Sequence, residues 1–163
     1  MRLDVRKLTI ADLAEFKRLR LDALQTNPES FGSHYAREAA FDDEEFANRL
    51  RVDDDNFIWG GFEGGLLVAM AGFYVVENVG NIWGVFTAPD HRGRGISKQL
   101  IMQIIADAKV NPSLVKIQLG VTSDSEAALG LYKAVGFETY SIEADAIQHG
   151  EFSMCEILME LSV

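Results

Sequence analysis

The chain has 163 residues, a length typical of one domain, of which 48% are hydrophobic and 25% are charged. This composition is typical of a soluble globular protein and argues against intrinsic disorder, and no apolar run reaches the roughly 18 residues of a membrane helix. Its 15 Lys and Arg against 25 Asp and Glu give a formal net charge of −10, which disfavours a nucleic-acid partner and favours cationic ligands such as amines. An acidic surface also keeps a protein in solution whatever it binds, so the charge alone leaves both interpretations open.

Cysteine content and the first residues bear on where the protein works. Cys155 is the only cysteine, so neither an intramolecular disulfide nor a cysteine-based metal site can form. Residues 1–7 lack the apolar stretch of a secretion signal, and no linker or internal repeat divides the sequence. We therefore expect residues 1–163 to form a single cytoplasmic domain that uses no metal ion.

The first third of the chain predicts one strand and two helices. Residues 3–8 favour a short strand. Thr9 and Asp12 form a capping pair ahead of a helix that ends at Asn27-Pro28, and a second helix is expected to begin at Asp42. The acidic run at 42–45 complements the dipole of that second helix start, an interpretation that we prefer to a metal site.

The rest of the chain predicts strands separated by two further helices. Residues 57–59 and 66–76 flank Glu63-Gly64-Gly65, a pattern typical of a β-hairpin. Residues 82–87 are apolar throughout, as in a central strand covered on both faces. There follow a helix from Ile96, a strand at 115–121, a helix capped by Ser123 and Glu126, and two strands at 137–142 and 151–161. This order predicts a mixed α/β fold with a largely antiparallel sheet and helices on its faces.

The segment from residue 82 to residue 100 carries the strongest functional signal. Its buried strand ends in a basic, glycine-rich turn that opens into a helix, whose first N–H groups and dipole make an anion site. Gly93 and Gly95 allow the backbone to approach a ligand closely, and Arg92, Arg94 and Lys98 add positive charge to an acidic chain. A diphosphate is the natural ligand, although glycine-rich turns also precede helices that bind nothing. The P-loop pattern is absent, and so are the third glycine and the βαβ setting of a dinucleotide-binding fingerprint.

Two motifs in this part of the chain resemble those of the GNAT superfamily of N-acetyltransferases. The family's pyrophosphate loop reads Gln/Arg-x-x-Gly-x-Gly/Ala, and residues 92–97 match it except that Ser97 stands at the last position. The family's second signature, Asn-x-x-Ala-x-x-Leu-Tyr-x-x-x-Gly-Phe, is matched by residues 125–137 with Ser125 in the Asn place. One helix and one strand separate the motifs, as the family requires, and the resemblance covers nearly the whole chain.

The resemblance implies a sheet of about seven strands, in which strands four and five splay apart and acetyl-coenzyme A lies in the gap. The pantetheine arm would pair with the backbone of the fourth strand, and the loop amides would hold the pyrophosphate. Ser125 stands where the family's Asn bonds pantetheine, and Tyr132 matches the tyrosine that protonates the leaving thiolate. The cofactor-binding residues expected on this basis are Val85, Phe86, Thr87, Arg92, Gly93, Arg94, Gly95, Ile96, Ser97, Lys98, Ser125 and Tyr132.

The other catalytic roles are less well marked in the sequence. The Phe86 N–H is the expected oxyanion donor, and Glu38 is our first choice for the general base that neutralises the amine. Glu77, Asp90, His34 and His149 are alternative bases, and we expect His91 to support the phosphate loop. Trp59 and Trp83 suit either an aromatic acceptor pocket or, as we prefer, core packing.

These features predict acetyl transfer from acetyl-CoA to a primary amine of a small molecule or peptide by direct attack in a ternary complex. A CoA-binding sensor domain with weak or no catalysis is the first alternative, and a pure protein-interaction module is the second. We expect no nucleic-acid or membrane partner, and a homodimer could form by pairing through the last strand.

Overall fold

The structure is a computed structural model that describes residues 2–149 and 152–163. Within these residues seven strands form one mixed sheet in the order β1-β2-β3-β4-β5-β7-β6. The mixed α/β architecture predicted from the sequence is confirmed. The strands are β1 (Leu3–Lys7), β2 (Asn56–Glu63), β3 (Leu66–Val76), β4 (Val79–Thr87), β5 (Lys116–Thr122), β6 (Glu138–His149) and β7 (Phe152–Ser162).

Helices cover both faces of the sheet. They are α1 (Leu13–Thr26), α2 (Tyr35–Ala39), α3 (Asp43–Arg49), α4 (Ile96–Lys109) and α5 (Glu126–Ala134). The Thr9–Asp12 pair forms the expected capping box, here on a short 3-10 turn that leads into α1. The five-residue helix α2 was not predicted, because it is too short to show an apolar period.

The two faces carry separate apolar cores. Side chains of α4, such as Ile101 and Ile104, pack with Phe73 and Ile117 of the sheet on one face. On the other, which we call the α1 face, α1 and α3 pack against side chains that include Met70. Because both faces of the central strands are buried, β4 carries the near-continuous apolar run of residues 82–87 from which a central strand was predicted.

Strands β4 and β5 are parallel and pair over only three residues each. Val79 to Asn81 stand opposite Lys116 to Gln118, and beyond these residues the two strands separate. In β4 the register with β3 also shifts, at Gly84, whose φ of +63° favours glycine. The separation leaves an open cleft between the carboxyl-terminal halves of β4 and β5, as the family resemblance implied.

The last strand, β7, is an inner strand of the sheet over part of its length. Residues 156–160 are paired with β5 on one side and with β6 on the other, and the outer strand at this end of the sheet is β6. This arrangement disfavours edge pairing at residues 156–160, and the homodimer expected through the last strand stays a prediction.

Candidate active site

A cavity of about 840 Å³ fills the cleft between β4 and β5 and extends to the start of α4. It brings together residues that are distant in the chain, from Asn27 to Tyr132, because β4, α4, β5 and α5 all contribute a wall and residues 27–31 border it as well. Of the expected cofactor-binding residues, all but Arg94 line it: Val85, Phe86, Thr87, Arg92, Gly93, Gly95, Ile96, Ser97, Lys98, Ser125 and Tyr132.

The glycine-rich loop has the backbone geometry of an anion site. Gly93 and Gly95 have φ values of +77° and +74°, and no atom lies within 4 Å of the place where a Cβ would stand on either. Gly95 is the N-cap of α4, whose first turn carries no acidic residue. The unpaired N–H groups of that first turn therefore remain available to a phosphate, and the loop leaves it room.

The two arginines of the loop are engaged by protein groups. Arg92 donates from Nε to the Thr87 carbonyl at 2.9 Å and from Nη2 to Asn27 Oδ1 at 2.8 Å. Arg94 donates to Glu63 at 2.7 Å, and His91 lies 3.5 Å from the same carboxylate. These contacts hold the loop in shape, so the loop's amides remain as its principal anion-binding groups.

The two serines that depart from the family pattern both have internal partners. Ser97 Oγ lies 2.7 Å from Thr87 Oγ1, and Ser125 Oγ lies 2.7 Å from Thr122 Oγ1. Each pair joins the end of a cleft strand to the start of the helix that follows it. The serines thus fasten α4 to β4 and α5 to β5.

The ladder between β3 and β4 decides which main-chain groups of β4 face the cleft. The Ala88 N–H donates to the Val68 carbonyl at 2.8 Å, and Phe86 stands opposite Met70 two residues earlier. Hydrogen-bonded pairs alternate in an antiparallel ladder, so the Phe86 N–H points to β3. This orientation argues against the predicted oxyanion role of Phe86. The Thr87 N–H and the Val85 carbonyl, by the same alternation, point into the cleft.

Tyr132 lies in the cavity wall and is almost completely buried, with 5% of its surface exposed. Its ring packs edge-on against Phe137, with 5.9 Å between ring centres. Burial raises the pKa of the Tyr132 hydroxyl, so the group keeps its proton at any physiological pH. Tyr132 is therefore placed and protonated as a proton donor would need to be.

Glu38 is fully buried in an ion-pair cluster on the α1 face. It accepts two hydrogen bonds from Arg20, at 3.0 and 2.9 Å, and one from Arg49 at 2.7 Å. These partners outweigh the opposing effect of burial and lower the pKa of Glu38 from 4.5 to about 2. A carboxylate held in this way is a very weak base. The geometry therefore argues against the general-base role that we predicted for Glu38.

The alternative bases are scattered. Glu77 lies in the turn between β3 and β4, at the end of the sheet where β4 and β5 are still paired. Asp90 and His34 are exposed. His149 belongs to β6, but its side chain lies outside those that the structure describes. None of the three described residues lines the cavity.

The two tryptophans have different surroundings. Trp59 donates from its indole N–H to Asp107 of α4 at 2.8 Å, which supports the core assignment. Trp83 packs against the core of the α1 face and also lines the cavity, where Gly72 leaves room for its ring. One residue outside our candidates lies directly beside the cavity wall, although it does not itself line the cavity. This residue is Glu156 of β7, whose carboxylate lies over Gly120. The alternation of apolar and polar residues in the last strand had indicated only that Glu156 and Cys155 project to opposite faces of the sheet.

Comparison with known proteins agrees with this geometry. A model of the acetyltransferase (GNAT) family matches residues 16–137, well over half of the chain. The chain belongs to the GNAT family. The N-alpha-acetyltransferase RimI of Mycobacterium tuberculosis is 31% identical to it over 101 aligned residues, and the match covers 56% of this GNAT chain and 58% of RimI.

Solved structures show the same fold at lower identity. A GNAT-family acetyltransferase from Streptococcus pneumoniae superposes with a TM-score of 0.87 at 17% identity, covering 99% of this chain and 100% of the other. YncA of Salmonella typhimurium, solved with its cofactor acetyl-CoA, gives a TM-score of 0.82 at 16% identity and covers 99% and 94%. Acetyl-CoA is the acetyl donor of the GNAT family.

The described part of the chain lacks two other kinds of feature, a metal-binding cluster and a membrane-spanning helix. Among the His, Cys, Asp and Glu side chains that the structure describes within residues 2–149 and 152–163, no three are grouped so that they could hold a metal ion. Over the same residues, no helix has both the length and the apolar character needed to cross a membrane.

Proposed function

We propose that this GNAT protein transfers the acetyl group of acetyl-CoA to a primary amine of a small molecule or peptide, by direct attack in a ternary complex. The cleft between β4 and β5 carries the proposal, because it unites an anion-binding helix start, unpaired strand groups and a buried tyrosine in one cavity. We further propose that residues 1–163 act as one cytoplasmic transferase unit.

The donor side of the cleft is suited to bind acetyl-CoA. The N–H groups at the start of α4, together with Gly93 and Gly95, would take the pyrophosphate. The Thr87 N–H and the Val85 carbonyl would pair with the amide groups of the pantetheine arm, as an added strand does. Acetyl-CoA supplies the activated acetyl group as a thioester. We assign no oxyanion role to Phe86.

The reaction requires two proton transfers. An alkylamine with a pKa of about 10.4 arrives protonated at neutral pH and must lose a proton before its nitrogen can attack. The leaving thiolate must gain one, and Tyr132 is the protonated group in the cavity wall that would supply it. The net negative charge of the chain would favour the approach of a cationic acceptor.

The proposal is tested by measuring CoA release with a thiol reagent while a panel of amines is offered with acetyl-CoA. The panel contains a tetrapeptide with a free α-amino group, because one relative is an N-alpha-acetyltransferase, together with spermidine and lysine. Calorimetry measures acetyl-CoA binding in parallel. Binding without release would favour the CoA-sensing alternative, and absence of binding would favour the interaction module.

A further inference from the structure

Beside the cleft, on the α1 face of the sheet, lie two acidic residues that the steps above do not use, Glu156 of β7 and the exposed Glu143 of β6. We propose that Glu156 receives the proton of the acceptor amine and that Glu143 helps to hold the ammonium group beside it. The assignment rests on the proposed amine acetylation and names the base that this reaction needs.

Strand register places Glu156 on the same face as Trp83 and Gly120. Asn81 and Gln118 are level in the parallel pair β4–β5, so two residues later Trp83 and Gly120 project to the same side. Thr122 of β5 stands opposite Glu156 of β7, and directly opposed residues also share a face. Trp83 and Gly120 both line the cavity, and Glu156 lies on their side of it.

Gly120 allows the Glu156 carboxylate to reach the cleft wall. A Cβ built on Gly120 would collide with Glu156 Oε1, so the carboxylate occupies the space that a side chain of β5 would fill. Glu156 therefore places its carboxylate beside Gly120 in the cleft wall. It does so at the level of Trp83, where β4 and β5 have begun to separate.

The charges around Glu156 are predominantly acidic. Glu143 stands directly opposite it on β6, and the turn at Pro28–Ser30, which approaches β5 and β6, carries Glu29. On β5, Thr122 is neutral, and Lys116 at the far end of the strand is paired with Glu160 at 3.2 Å. On the helical side, Arg20 and Arg49 share the single carboxylate of Glu38, so they keep one net positive charge, and both guanidinium groups lie 5.6 Å from the ring centre of Trp83. Among the described residues, this environment suits an ammonium group.

The same surroundings make Glu156 a better base than Glu38. Burial and the neighbouring charge of Glu143 raise the pKa of Glu156, whereas two arginines lower that of Glu38. A carboxylate with a raised pKa binds a proton more strongly and so removes one more readily from an ammonium group.

The proton balance is simple. The Glu156 carboxylate takes one proton from the ammonium group and passes it to solvent. The nitrogen lone pair then forms the C–N bond as the C–S bond breaks. The nitrogen gives up a second proton to the Glu156 carboxylate, which again passes it to solvent. The thiolate takes one proton from Tyr132, and Tyr132 regains one from solvent. Each cycle therefore releases one proton in total.

The test is the pH dependence of kcat/KM for Glu156→Gln, with the most active amine of the panel and acetyl-CoA. We expect kcat/KM at pH 7 to fall by about 10²- to 10⁴-fold. The unaltered protein should reach a plateau near neutrality. For Glu156→Gln, kcat/KM should keep rising with pH, because a protein without the base can use only the fraction of the amine that is already unprotonated in solution. Glu160→Gln, on the same strand and face, is the matched control and should retain the plateau.

A second variant keeps the test informative if Glu156→Gln folds poorly. Glu143→Gln removes the like charge, so the pKa of Glu156 falls and the acidic limb of the profile should move to lower pH. An unchanged profile in both variants, with acetyl-CoA binding intact, would overturn the assignment and leave the acetyltransferase proposal standing. No CoA release by the unaltered protein with any amine of the panel would overturn both.

Discussion

The hydroxyl oxygens of Thr87 and Ser97 lie 2.7 Å apart and join the last residue of β4 to the first turn of α4. The Thr87 carbonyl accepts a hydrogen bond from Arg92, which in turn donates to Asn27. The side chains of Thr87, Arg92 and Ser97 thus fix the phosphate loop to β4, the strand before it. A small residue with a hydroxyl at position 97 therefore keeps the loop open and anchors it as well.

We expect the Thr87–Ser97 contact to be measurable as a coupling. Ser97→Ala and Thr87→Val should each lower the free energy of unfolding by about 1 kcal/mol, and the double variant by less than the sum. Urea denaturation of the four proteins measures this. Ser113→Ala, an exposed change between α4 and β5, should be close to neutral. Strict additivity of the Thr87 and Ser97 effects would show that the contact contributes nothing.

The left-handed conformation of Gly95 should be essential to cofactor binding. At a φ of +74° a side chain costs about 1–2 kcal/mol, and relief of this strain would turn the N–H groups of the first turn of α4. We expect Gly95→Ala to weaken acetyl-CoA binding at least tenfold, as measured by calorimetry.

Gly130 provides the matched control for Gly95. It lies inside α5, it has no positive φ, and the place of its Cβ is equally open. Gly130→Ala should leave acetyl-CoA binding unchanged and stabilise the protein by about 0.5–1 kcal/mol. Equal acetyl-CoA dissociation constants for the Gly95 variant and the unaltered protein would remove the loop from the binding site.

Local sequence patterns predicted the donor side of the cleft well. A glycine at an N-cap, a strand that is apolar on both faces and a helix stripe ending in Gly136 are each encoded within a few residues. The structure has Gly95 as the N-cap of α4, and Gly136 has a φ of +108° after α5. The position of the cleft between the fourth and fifth strands was implied by the resemblance of the two motifs to those of the GNAT family.

The acceptor side was not predictable in the same way, because its geometry depends on pairing between distant strands. The direction of the Phe86 N–H follows from the β3–β4 register and the irregularity at Gly84. The ion pairs of Glu38 join α2 to α1 and α3, and no pattern within α2 reveals them. The position of Glu156 over Gly120 requires β7 to lie beside β5.

Tyr132→Phe should lower turnover and leave acetyl-CoA affinity nearly intact. The change removes only the hydroxyl, while the ring keeps its edge-on contact with Phe137. Loss of a positioned proton donor reduces kcat by about 10²- to 10⁴-fold. Steady-state kinetics with the thiol-release assay, together with calorimetry, separates the two effects.

Tyr140→Phe is the control for this experiment, because Tyr140 is 45% exposed on β6. It should change neither kcat nor acetyl-CoA affinity. If Tyr132→Phe also turned over at the normal rate, Tyr132 would have no part in proton transfer.

Glu38 should contribute to the stability of the folded protein and to the way this stability changes with pH. Glu38→Gln breaks a buried pair and leaves Arg20 without its anion, so the free energy of unfolding at pH 7 should fall by about 3–5 kcal/mol. The folded-state pKa is lowered to about 2, so the ion pair stabilises the protein above pH 4.5 and the effect is lost as the pH falls towards 2. Denaturant titrations of Glu38→Gln and of the unaltered protein between pH 7 and pH 2 should therefore converge at the acidic end.

Glu44→Gln, on the exposed first turn of α3, is the control and should change the free energy of unfolding by less than about 0.5 kcal/mol. A stability difference between Glu38→Gln and the unaltered protein that stayed constant down to pH 2 would contradict the ion-pair argument. Loss of the acidic limb of the kcat/KM profile in folded Glu38→Gln would restore Glu38 as the general base.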